Sequence, residues 1–176
     1  LTVTGYAVAT CAVLAAVVAA GAVHRPELPP VASAWRTLRG AFRDPVLVVL
    51  GTVVALELAY TTALGLFTAP NDDDALAYHL PRAAFWLQEH AIGYIDQGED
   101  VRLNAFPPGG EILTAFTMAT SEGDRFAALP NLVAVVVIAV GVYGIGRRIG
   151  LDPRRALFGA LLTPLFPVVA LHAQST

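Results

Sequence analysis

Val46 to Phe67 is one apolar run with a single charge, Glu57. A helix needs about 20 apolar residues to cross the hydrocarbon core of a bilayer, and this run meets that length. Three further stretches are of the same kind. Gly5 to Val23 is uncharged, Pro130 to Gly146 is uncharged, and Ala156 to Leu171 is uncharged but holds Pro164 and Pro167. The composition agrees: 56% of residues are hydrophobic, 14% are charged, and mean hydropathy is +0.61. Soluble domains carry about 25% charged residues. The fold class expected is therefore an all-α integral membrane protein with about four transmembrane helices, spans 5–23, 46–67, 130–146 and 156–171, in one membrane domain over 1–176. Prolines inside a span are tolerated where neighbours serve the freed carbonyls, and the two in the fourth span are expected to kink it. The chain starts at Leu1 and stops soon after an apolar run, so it reads as an N-terminal fragment.

Charge orients the spans. Arg25, Arg36, Arg39 and Arg43 lie between the first and second, and Arg147, Arg148, Arg154 and Arg155 between the third and fourth. The segment 70–129 has only Arg82, Arg102 and Arg125, against ten acidic residues. Basic loops stay on the cytoplasmic side, so the acidic loop is expected outside. Residues 31–43, with Trp35, Leu38 and Phe42 at helical spacing beside three arginines, read as an inner surface helix in the headgroup plane. Cys11 is alone and cannot form an internal disulfide.

A loop that runs from 70 to 129 is too long for a plain connector. It opens on Asn71-Asp72-Asp73-Asp74, continues through Tyr78-His79-Leu80-Pro81-Arg82 to Trp86-Leu87-Gln88, and later holds Pro107-Pro108 before a helix from Glu111 to Met118. Asp is at home in the first turn of a helix, so some of the three aspartates cap the helix. A carboxylate kept at a membrane face also suits a general base or a metal ligand. Leu76, Leu80, Leu87, Ile112, Leu113 and Phe116 are expected to bury against the spans or headgroups. Tyr78, His79, Arg82 and Trp86 fall on the opposite face. Glu57, alone in a span, is either functional or paired within the bundle. Gly141, Gly144 and Gly146 read as small-residue helix packing. No Cys/His metal spacing and no glycine-rich phosphate loop is present.

The order of these elements resembles the GT-C superfamily of membrane glycosyltransferases, in the bacterial branch similar to protein O-mannosyltransferases and aminoarabinose transferases. The resemblance rests on Asp74-x-x-x-Tyr78 just after an early span, on Tyr78 to Arg82 and Trp86 to Gln88, on Pro107-Pro108, on Tyr143 to Gly150, and on His172 to Thr176. It implies transfer of a hexosyl or pentosyl group, with inversion, from a polyprenyl-phosphate donor to an envelope glycan, lipid or protein acceptor, in the bacterial inner membrane, with loop 70–129 outside. It makes Asp74 the general base, with Asp73 second, and Tyr78, His79, Arg82 and Trp86 the substrate-binding groups. No metal ligand is assigned, a divalent cation is the one cofactor left open, and nucleic acid is not expected as a partner. The fragment alone is expected to be inactive. The competing readings are a transporter subunit, with Glu57 in the path, and a non-catalytic envelope assembly protein.

Overall fold

The computed structural model describes residues 39–70, 72–96 and 100–174, with positions 5, 8, 11–13, 15, 16 and 18–20 of the first apolar run, all of them helical. Most of the expected first span and of the surface helix 31–43 lies outside the described residues. Every regular element among the described residues is helical.

Two helices are long and apolar enough to cross a membrane: α1, Pro45–Phe67, and, named in chain order below, α5, Leu129–Arg148. Only 17% and 11% of their most apolar windows are buried within the chain. Val49, Leu56 and Tyr60 on α1 and Val137, Val140 and Ile145 on α5 are exposed. The core helix of a water-soluble protein would be covered; these present apolar surface outward, as lipid-facing helices do. Between them stand α2 (Leu80–Gln88), α3 (Arg102–Ala105) and α4 (Gly109–Ser121), with a π turn at Ala75–His79 leading into α2. After α5 come α6 (Pro153–Leu162), a 3₁₀ turn (Thr163–Leu165) and α7 (Pro167–Gln174).

The helix starts are written locally. Asp44 accepts from the amides of Val46 and Leu47, and Pro45 opens α1. Asp152 accepts from the amides of Arg154 and Arg155, and Pro153 opens α6. In both, an aspartate serves orphan N–H groups and the proline sits where its missing N–H costs nothing. The expected fourth span is one continuous segment only in sequence. Pro167 forces Phe166 into extended backbone, φ −64° and ψ 128°, because the residue before proline is driven out of the α region. The run is therefore broken into α6 and α7, the kink that its two prolines lead one to expect.

The two ends of the helix group are pinned differently. At one end Arg154 pairs with Asp44, joining the start of α6 to the cap of α1, and holds the Asp44 carboxyl below its ordinary range. At the other end a side chain at Gly65 would meet Ala128, and the Arg125 guanidinium lies 5.8 Å from the Phe67 ring. The acidic loop and the arginine-rich turn therefore sit at opposite ends of α1 and α5. Between α1, α5 and α6 lies an apolar crevice of about 390 Å³, lined by Val54, Leu58, Val135, Tyr143, Leu157 and Pro164 among others. Glu57 makes no ion pair among the described residues, and its Oε2 is buried without a hydrogen-bond partner there.

Of the three glycines assigned to helix packing, Gly146 has that role among the described residues. A Cβ on Gly146 would lie 3.1 Å from the Ala156 Cβ, where α5 meets α6; at Gly141 and Gly144 it would meet nothing within 4 Å. Gly150, at φ +91°, makes the reversal between these helices in a conformation that glycine adopts freely. Gly146→Leu should therefore destabilise the protein by about 1–3 kcal/mol through overpacking, whereas Gly141→Ala should be neutral or stabilising by up to about 1 kcal/mol. Thermal unfolding in detergent checks the contrast; equal effects at the two positions would remove the close α5–α6 crossing.

Candidate functional site

The loop between α1 and α5 folds around its own core: Tyr78, Ala83, Trp86, Ile95, Leu103 and Ala115, with Phe85, Ile112 and Phe116 packed against it. The face that turns inward differs from the one the apolar pattern indicates. Tyr78, Arg82 and Trp86 are buried, while Leu76 and Leu113 are 54% and 55% exposed. Leu80 is buried, and Leu87, Ile112 and Phe116 pack partly, against the loop's own core where the apolar pattern puts them against the spans or headgroups. The physical reason lies in the turn before α2. The Leu80 amide donates to Ala75, five residues back, and the Pro81 nitrogen has no hydrogen to give. The ladder widens to a π turn there, which shifts the following side chains round the axis.

Arg82 sits at the centre, 1% exposed. Its Nε donates to the Leu103 carbonyl, one terminal nitrogen to Phe106 O at 2.9 Å and to Glu111 Oε1 at 3.1 Å, and the other to Arg102 O at 3.0 Å. Glu111, 2% exposed, also takes the Nδ1 of His79 at 3.0 Å. One guanidinium thus ties α2 to α3, to the strand-like link at Phe106, and to the first turn of α4. The guanidinium carbon is 5.8 Å from the Trp86 ring. Trp86 in turn donates from Nε1 to Gly93 O, and Asn104 clasps Ile95 through both its amide groups. Arg82 and Trp86, read from sequence as substrate ligands, are in this arrangement interior groups with their donors engaged. The reason is again the π turn, which turns their face inward.

The exposed chemistry lies one layer out. Arg102 chelates Asp100 through Nε and one terminal nitrogen, at 2.8–3.1 Å. Its remaining nitrogen donates to Asp74 Oδ1 at 3.0 Å and lies 4.0 Å from Asp73. The same guanidinium stands 5.3 Å from the Tyr78 ring, which stacks on Phe106 at 5.2 Å and lies 4.1 Å from His79. Arg102 holds the Asp100 carboxyl below its ordinary range, and its own pKa is raised in return. Burial, then the charges of Asp74 and Glu111, push the Tyr78 hydroxyl up, so it stays protonated. Asp72 accepts from the Ala75 amide at 3.3 Å, the capping role open to these aspartates. Asp74 and Asp73 are left as the carboxylates free of helix capping, half and almost fully exposed.

The structure therefore brings Asp74, Tyr78 and His79 together as the sequence indicates, and adds Arg102 and Glu111, which sequence reasoning missed. Both come from distant parts of the loop, on α3 and α4, where no periodicity connects them to Asp74. Among the described residues, no group of three or more His, Cys, Asp or Glu side chains converges as a metal site. Asp74 and Asp100 pair with Arg102 at 3.0 and 2.8 Å, and Asp73 lies 4.0 Å from it. No family model matches this chain, and neither a curated protein nor a solved structure does.

Removing Arg82 strands a buried carboxylate and three carbonyls, whereas removing Arg102 frees one half-buried and two exposed acids. Breaking a buried pair from one side costs about 3–5 kcal/mol, so Arg82→Met should unfold the loop or lower its stability by that order. Arg102→Ala should leave the thermal midpoint near the parent's, as exposed ion pairs contribute little. Thermal unfolding in detergent compares them; a tolerated Arg82→Met would show that the buried pair does not hold the loop.

Proposed function

We propose that this chain belongs to a membrane glycosyltransferase of the GT-C type, working at the outer face of a bacterial inner membrane on a polyprenyl-phosphate sugar. One observation supports the reading above others: Asp74 is held on Arg102 beside the Tyr78 ring, on a folded loop at the ends of two helices apolar enough to cross a membrane. Inverting transfer needs a base for the acceptor hydroxyl and positive charge for the leaving phosphate. Asp74 is the base. Arg102 takes over from Arg82 as the phosphate-facing cation, since it is partly exposed and its planar fork suits phosphate oxygens. The bond between Asp74 and Arg102 keeps both groups in place until substrate divides them. Tyr78, buried against Phe106, is the ring on which Arg102 and His79 are placed. The acceptor is an envelope glycan, lipid or protein.

The test is sugar release from a polyprenyl-phosphate donor by the whole protein in proteoliposomes. Asp74→Asn should lower turnover by about 10²–10⁴, the usual worth of a general base. Asp72→Asn should stay near the parent, since an amide oxygen still caps the turn. Arg102→Ala should weaken donor binding. Single cysteines at Asp96 or Glu99, in a Cys11→Ser background, should react with an impermeant thiol reagent in intact cells, and one at Arg154 should not. Activity in all of Asp72→Asn, Asp73→Asn and Asp74→Asn would end the carboxylate mechanism, and a reversed labelling pattern would end the outer-face reading.

A further inference from the structure

We propose that His79 and Glu111 form a proton-coupled phosphate clamp, in which His79 binds a phosphodiester through Nε2 as an imidazolium. The inference rests on the proposed donor class and deepens it. Glu111, as a carboxylate, has only acceptor atoms, so the hydrogen in its 3.0 Å contact with His79 must be on Nδ1. This fixes the ring's orientation and assigns the other nitrogen, Nε2, to whatever lies in front of it. Nε2 has no hydrogen-bond partner among the described residues, and the side chain is 30% exposed. Glu111 is 2% exposed and gives the same oxygen to Arg82, so it is a fixed support rather than a group that meets ligand.

The charges around the ring explain why a proton should come with the ligand. On α4 the only charge facing His79 is Glu111, and from α2 Arg82 already offsets it at 3.1 Å. On the side of the π turn and α3 stand Tyr78, 4.1 Å from His79 between ring centres, and beyond it Arg102 with Asp74, Asp100 and Asp73. Glu111 already shares its carboxylate with Arg82, so it matches a proton on His79 only in part. A phosphodiester at Nε2 supplies the match. In the neutral ring, Nε2 has a lone pair and repels phosphate oxygens; in the protonated ring it donates a charge-assisted hydrogen bond. Arg102 and His79 both lie against the Tyr78 ring, and in the clamp both serve the phosphate while Asp74 serves the acceptor.

The probe is a short-chain isoprenyl methyl phosphodiester, whose single negative charge does not change between pH 5.5 and 8.5. Its affinity is measured against pH for the whole protein in nanodiscs of zwitterionic lipid. The parent should bind about tenfold or more tightly at the acid end, the worth of one charge-assisted hydrogen bond. His79→Asn, whose amide can still reach Glu111, should bind weakly with little pH dependence, and its thermal midpoint should stay near the parent's. Glu111→Asp, which keeps the charge but draws it back, should flatten the slope without abolishing binding. In ¹⁵N-histidine spectra near neutral pH, the probe should move the His79 signals toward the protonated form. Dimethyl phosphate, which has no isoprenyl tail, should show the same slope at lower affinity if the phosphate chemistry is shared and the lipid tail names the source. A His79→Asn variant with the parent's affinity and slope overturns the clamp and leaves the proposed function standing. Failure of the parent to bind the isoprenyl probe at any pH overturns the donor class, and the clamp with it.

Discussion

A charged pair sealed inside a polar loop is what allows this loop to be a structure rather than a tether. Arg82 and Glu111 are 1% and 2% exposed, and neither could stay there alone. A buried ion carries a desolvation penalty of several kcal/mol, which its partner repays only if the remaining donors and acceptors are also served. Here they are served, by the carbonyls of Arg102, Leu103 and Phe106 on one side and by His79 on the other. The pair is unlike an exchangeable surface bridge. Its geometry fixes where α3 and the Phe106 link pass, and that in turn brings Arg102 within reach of Asp74.

The outer layer follows from the inner one. Arg102 is partly exposed, and its pairs with Asp100 and Asp74 lie in high dielectric, where they contribute little to stability. The arrangement suits binding for the same reason. A guanidinium held by exposed carboxylates over an aromatic ring can exchange one partner for an incoming phosphate at small cost. A guanidinium with the environment of Arg82 could not. The two arginines thus differ in burial, and burial decides which of them can change partners.

Much of the architecture was legible in the chain. The apolar runs 46–67 and 130–146 coincide with α1 and α5 to within two residues, and Pro164 and Pro167 do break the run that follows. The caps at Asp44-Pro45 and Asp152-Pro153 came from the structure, although each is a local signal. The site was legible only in part. Asp74, Tyr78 and His79 belong to one short stretch, and local spacing brings them together. The inward face of α2 was not legible, because a single π turn before Pro81 displaces every later side chain, and apolar periodicity assumes an unbroken helical ladder. Glu111 and Arg102 were not legible either, since contacts between separate helices of one loop leave no periodic trace in sequence.

Hydrogen exchange of the protein in a lipid bilayer reads the buried pair's organising role directly. Amides in Ala75–Gln88 and Gly109–Ser121 should exchange slowly and as one unit, because opening either helix exposes the Arg82–Glu111 pair. Replacing Arg82 by Met should accelerate both segments together, while the amides of α1 and α5 stay protected. Exchange in both segments at the rate of a free peptide, or acceleration confined to α2, would show that the loop is not held by this pair and that no preformed site stands at the membrane face.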